Sequence, residues 1–116
     1  MFHFWEMCVI FHAMIVVGTD IVEVYFAAHK GHKGISAARS QYDAWLDIVK
    51  NSTPKTPEDL KKMHPKASIL KSGRVVFNIK ANDFRLVALV QYEAGVLFIR
   101  FFGSHEEYDK IDAETV

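Results

Sequence analysis

His105 and Tyr108 stand three residues apart, just after an apolar run that ends at Phe102. A histidine is the side chain that exchanges a proton near neutral pH, and a tyrosine can orient or stack on a planar partner. Nearby in sequence are Lys80, Arg85 and Arg100. The planar fork of an arginine matches two oxygens of a phosphate, and a lysine adds a point charge. These residue types together could perform proton transfer beside a bound anion. Ser104, followed three residues later by Glu107, is a capping box that opens a helix, so His105 falls in its first turn with Tyr108 on the same side.

The pair must be positioned by the elements before it. Three runs, at 74–80, 84–92 and 96–102, are rich in β-branched and aromatic residues and are separated by the turn-like triplets 81–83 and 93–95. A two-residue loop at Ala81 and Asn82 sets Ile79 opposite Phe84, Asn78 opposite Arg85 and Phe77 opposite Leu86. A loop at Ala94 and Gly95 sets Tyr92 opposite Leu97, Val90 opposite Ile99 and Ala88 opposite Phe101, and brings Ser104 level with Arg85. One face of the sheet is then Val75, Phe77, Ile79, Phe84, Leu86, Ala88, Val90, Tyr92, Leu97, Ile99 and Phe101, which needs helices over it. The other carries Arg74, Asn78, Lys80, Arg85, Gln91 and Arg100 among Val76, Val87, Leu89, Phe98 and Phe102, a mixture of cations and apolar platforms.

The helices are supplied upstream. A first strand begins at Met14 and Gly18 turns it into a helix over 20–29, with Ile21, Val24, Tyr25 and Ala28 on one side. The stretch Lys30, Gly31, His32, Lys33, Gly34 breaks that helix, and Ser36 caps a second one whose apolar positions are Ala37, Ala38, Tyr42, Trp45, Leu46 and Val49. Thr56 with Asp59 starts a short helix that stops near His64 and Pro65. The architecture expected is α+β: a mainly antiparallel sheet, two helices packed on one face, and a short C-terminal helix.

At 116 residues the chain is read as one domain. Formal net charge is zero, but 61–100 holds eight lysines and arginines against two carboxylates, Asp83 and Glu93, and both flanks are acidic. A basic centre of that kind suits a polyanion, where the net charge alone does not. The single cysteine, Cys8, cannot form an internal disulfide and offers no cysteine metal site, and it fits a reducing compartment. The apolar stretch at 1–13 lacks a basic start, contains Glu6 and is too short to span a bilayer, so the domain is expected at 14–116 with 1–13 as a leader.

Two motifs carry a resemblance. Residues 70–87, which include Arg74, Asn78, Lys80 and Arg85, together with 103–112, which include His105 and Tyr108, are similar to the HigB family of RelE-like toxins of bacterial type II toxin-antitoxin systems. The segment at 42–45 also fits, and the likeness extends over about 14–116. It departs from the family pattern at Ala81, where glycine is commoner, at Phe84, where tyrosine is, at Ser104, where threonine is, and at Arg100, where lysine is frequent. The resemblance implies a cytoplasmic, ribosome-dependent mRNA endonuclease, silenced by a cognate HigA-like antitoxin that binds operator DNA, so that the toxin meets DNA only through its partner. It implies no cofactor, no metal and no membrane.

On that reading the 2′-hydroxyl of RNA attacks its own phosphate, which requires proton transfer and fixed positive charge. His105, Tyr108, Arg85 and Lys80 are the expected catalytic set. Arg74, Asn78, Arg100, Lys71, Lys66 and Lys62 are expected to hold RNA or the ribosome, although scattered lysines taken singly are ordinary solvated residues. Two other classes fit the same residues: a module that binds RNA or protein on the basic face without cutting, and a subunit whose half-apolar second face is an oligomer interface. The histidine and tyrosine beside the cations favour the enzyme, since an interface needs no titrating group there. His29, His32 and His64 lack a third neighbouring metal ligand, and Tyr42 and Trp45 read as core.

Overall fold

The computed structural model describes residues 13–116. The leader expected at 1–13 lies, apart from Ala13, outside the described residues. Strand β1 (Ile15–Val17) leads into helix α1 (Thr19–Ala28), followed by α2 (Ile35–Lys50) and the short α3 (Pro57–Met63). Strands β2 (Ser68–Ile69), β3 (Arg74–Ile79), β4 (Phe84–Gln91) and β5 (Val96–Ser104) come next, and α4 (His105–Tyr108) closes the element order. The strands form one sheet in the order β1-β5-β4-β3-β2, antiparallel except for the parallel pairing of β1 with β5. This is the α+β arrangement expected. The brief β2, paired with β3 at Ser68 and Ile69, is a strand too short to carry a periodic signal.

One face of the sheet, with Val75, Phe77, Ile79, Phe84, Leu86, Ala88, Val90, Leu97 and Ile99, packs against α1 and α2 in a single apolar core. Helix α2 contributes Ala38, Tyr42, Trp45 and Val49 as expected, whereas Ala37, expected with them, is exposed. Its cap differs from expectation: Gly34, not Ser36, precedes the first turn. Helix α1 buries Val22 and Phe26, whereas Ile21 and Val24 are exposed, so the expected face is turned. With only ten residues and apolar side chains nearly all round, α1 has no decisive stripe. Its rotation is set by its start: Gly18 has φ +97, and a Cβ there would lie 2.7 Å from the carbonyl oxygen of Ile99.

The β3–β4 hairpin pairs as expected, with Ile79 opposite Phe84, Asn78 opposite Arg85 and Phe77 opposite Leu86. The β4–β5 hairpin does not. Its loop has four residues, Gly95 donates its N–H to the carbonyl of Gln91, and Val90 faces Leu97 while Ala88 faces Ile99. That two-residue offset preserves the faces. A bulge between Val87 and Ala88 then leaves Arg100 unpaired and exchanges the faces beyond it, so Val87 meets Phe101, Arg85 meets Gly103 and Phe84 meets Ser104. Phe102 is buried in place of Phe101, and Tyr92 is only partly buried against the core.

The second face is not open throughout. Val76 and Val87 are buried although they lie outside the main core. The segment 109–116 runs back over this face: the Ser72 hydroxyl donates to the Glu114 carbonyl at 2.9 Å, and Arg74 donates from Nε and Nη2 to the Val116 carbonyl oxygen at 3.1 and 2.9 Å. Part of the surface expected to meet a partner is thus roofed by the chain itself.

Candidate active site

The turn 80–83 joins the candidate residues. It begins with two left-handed residues, Lys80 at φ 55 and Ala81 at φ 56, a conformation that favours glycine over the alanine present. The Lys80 N–H donates to Gln41 Oε1 on α2 at 3.0 Å, which fixes the turn against the helical layer. Lys80 Nζ pairs with Asp83 at 2.8 Å, and that hydrogen bond holds the exposed Asp83 carboxyl below its ordinary range. The Asp83 carbonyl accepts from the His105 backbone N–H at 2.9 Å, and the Asn82 carbonyl accepts from Arg85 Nη1 at 2.7 Å. One four-residue turn therefore holds Lys80, Arg85 and the start of α4 in place.

The four expected catalytic residues divide between two surfaces that meet at this turn. Lys80 and His105 line an open cleft of about 400 Å³, together with Lys33, Asn82, Asp83 and Ser104. Arg85 and Tyr108 are paired, the Arg85 Cζ lying 5.7 Å from the centre of the Tyr108 ring. Tyr108 also leans on Phe101, 6.4 Å between ring centres, a contact that follows from the bulge. The His105 side chain is half exposed, with Nε2 3.6 Å from Asp109.

The frame of α4 is the capping box. Ser104 Oγ accepts from the Glu107 N–H at 3.1 Å and Glu107 Oε1 accepts from the Ser104 N–H at 2.7 Å. The Tyr25 hydroxyl on α1 donates to the same carboxylate oxygen at 2.9 Å, so α4 is tied to the helical layer. The backbone hydrogen bond from Ser104 and that from Tyr25 hold the Glu107 carboxyl below its ordinary range, and burial, reinforced by the bond to Glu107, pushes the Tyr25 phenol up. Because the folded carboxyl titrates lower than the unfolded one, its stabilisation is complete above the ordinary carboxylate pKa and is lost as pH falls through the folded value. Glu107→Gln is expected to melt lower than the wild type at pH 7, and that gap is expected to narrow as the pH falls below the ordinary carboxylate range; thermal melts across that pH range measure it, and a gap that does not narrow would contradict it.

The expected binding residues are more scattered. Arg74 is engaged with the C-terminal segment. Asn78, opposite Arg85, shares with Lys66 a separate pocket of about 320 Å³ that also includes Trp45, His64 and Phe77. Arg100 is exposed at the bulge, and Lys71 and Lys62 are exposed on the turn before β3 and on α3. Of these six, Asn78 alone pairs with a residue held by the turn 80–83, its cross-strand neighbour Arg85. His64 packs edge-on to Phe77 at 5.0 Å, and burial lowers its pKa. His29 stacks on Tyr25 at 3.9 Å and donates from Nδ1 to the Tyr25 carbonyl. Tyr42 is core, and burial pushes its phenol up to about 12.

Sequence reasoning missed Gln41, Asp83 and Lys33. A turn aspartate and a helix glutamine carry no signal of their own, and Lys33 reaches the cleft only through the packing of the α1–α2 loop.

Residues 38–111, well over half of the chain, match the HigB toxin family, described as the RelE-like toxic component of a toxin-antitoxin system. The mRNA interferase toxin HigB of Escherichia coli (strain K12) is 39% identical over 57 residues, which cover 47% of this chain and 55% of that protein. The proteins named mRNA interferase HigB from Escherichia coli O157:H7 and Shigella flexneri match to the same extent. The chain spans about half the length of the curated relatives it matches.

Proposed function

This chain belongs to the HigB family of RelE-like toxins, and on that premise we propose that it is a ribosome-dependent mRNA endonuclease that arrests translation until a cognate antitoxin covers it. The observation that carries the reading is the turn 80–83, which holds Lys80, Arg85 and the helix bearing His105 and Tyr108 at one end of the sheet. The reaction needs no metal. The 2′-oxygen of one nucleotide bonds to its own 3′-phosphorus as the bond from phosphorus to the following 5′-oxygen breaks, giving a 2′,3′-cyclic phosphate and a 5′-hydroxyl. One proton leaves the 2′-hydroxyl and one reaches the departing 5′-oxygen. His105 is the group that moves a proton. Arg85 and Lys80 face the charge that builds on the phosphorane oxygens, and Tyr108 positions the Arg85 guanidinium and offers a ring to the substrate.

The antitoxin in this reading is HigA-like and binds operator DNA, and the toxin meets that DNA only through it. The domain that acts is 14–116, in the cytoplasm; among the described residues no helix is long and apolar enough to cross a membrane. Inducing the chain in a bacterium that lacks the antitoxin, with mapping of mRNA 5′ ends, is expected to give growth arrest and new ends inside translated frames. Normal growth with intact messages, from soluble folded chain, would leave a non-catalytic binding module on the same basic surface.

A further inference from the structure

The α1–α2 loop, at 29–34, lies outside the family match and enters none of the steps above, yet it forms one wall of the cleft that holds His105 and Lys80. Its backbone abuts the Lys80 side chain: a Cβ on Gly34, which has φ +83, would lie 3.3 Å from Lys80 Nζ. Lys33, the residue before it, lines the same cleft. The cleft also holds Asp83 and Glu106. Asp83 is already spent on Lys80, at 2.8 Å, so the lysine nearest the turn offers an entering anion a charge that it must first take from Asp83. Among the described residues Lys33 has no carboxylate within ion-pair distance. Among the described residues it is the lysine of the cleft whose charge no ion pair matches.

We propose that Lys33 is a positioning residue for the RNA substrate, holding a backbone phosphate that flanks the scissile one while His105 and Lys80 face the reacting phosphate from the other wall. This rests on the nuclease reading. A phosphate held from a second wall fixes the strand in the cleft, which is binding shared by ground state and transition state, and its loss raises the concentration needed for half-maximal rate without lowering the maximal rate.

The test is cleavage of mRNA on programmed ribosomes under single-turnover conditions at fixed salt, against toxin concentration, for wild type, Lys33→Gln, Lys33→Arg and Lys30→Gln. Lys33→Gln is expected to raise the half-maximal concentration about tenfold, as loss of a charged hydrogen bond does, at an unchanged maximal rate. Lys33→Arg is expected to restore it to within about threefold, and Lys30→Gln, which removes the same charge from a loop residue that does not line the cleft, to stay within about twofold of wild type. Equal curves for Lys33→Gln and wild type, or an equal loss in Lys30→Gln, would overturn the role of Lys33 and leave the nuclease standing. A wild type that cuts nothing on the ribosome would overturn both.

Discussion

His105→Ala is expected to lose about 10²- to 10⁴-fold in cleavage rate, the range for removing a positioned proton-transfer group, with little change in melting temperature. The two expectations separate because the side chain is half exposed while the helix that carries it is held elsewhere. The Ser104 and Glu107 capping box, the Tyr25 hydroxyl and the backbone bond from His105 N–H to the Asp83 carbonyl all survive the substitution. Arg85→Ala removes the charge beside the phosphorane and also the bond to the Asn82 carbonyl, so a loss of about 10²- to 10³-fold comes with a somewhat looser turn. Tyr108→Phe keeps the ring that sits beneath the guanidinium and against Phe101, and its loss is expected to be far smaller. In-ribosome cleavage rates for the three variants, with thermal melts alongside, decide the matter. A Tyr108→Phe variant as dead as His105→Ala would transfer the proton-moving role to the phenol; a His105→Ala variant of wild-type rate would remove histidine from the chemistry.

What could be read in the sequence follows the range of the interaction responsible. The β3–β4 pairing is local, fixed by a tight turn and an unbroken alternation, and it was legible down to the partner of each residue. The capping box is encoded within four residues and is present as expected. The bulge at Val87 and Ala88 has no local signature: alternation in β4 and β5 reads equally well in either register, and the choice is made by which phenylalanine fits among Tyr25, Phe26 and Tyr42. The turn of α1 about its axis is likewise decided by what it meets. So is the fate of Arg74, whose cationic fork reads as an RNA contact in sequence and binds the chain's own C-terminal segment in the fold. At the site, residue types and their convergence at one strand end could be read, while the split between a cleft and an open face, and the arrival of Lys33 in that cleft, depend on packing across more than forty residues of chain.

The bulge itself makes the sharpest stability prediction, because it decides between two neighbouring residues of one type. Phe102 stacks on Phe84 at 5.8 Å with the rings 6° from parallel, and meets Tyr25 and Phe26 edge-on at 5.2 Å each. It is the centre of the aromatic cluster that glues α1 to the sheet, and it is buried. Phe102→Ala is expected to cost about 3–5 kcal/mol, since the surrounding rings belong to three elements and cannot collapse into the space together. Phe101 lies on the opposite face, partly exposed against Tyr108, and Phe101→Ala is expected to cost about 1–2 kcal/mol, the transfer of a partly buried ring. An unbroken β4–β5 ladder would invert the two values, because it turns Phe101 inward and Phe102 out. Urea unfolding of both variants therefore tests the register directly: a larger loss for Phe101→Ala would mean that the bulge is absent. It would also mean that Ser104 stands a residue away from Phe84, taking His105 off the turn that holds Lys80 and Arg85, and the site argued above would lose its frame.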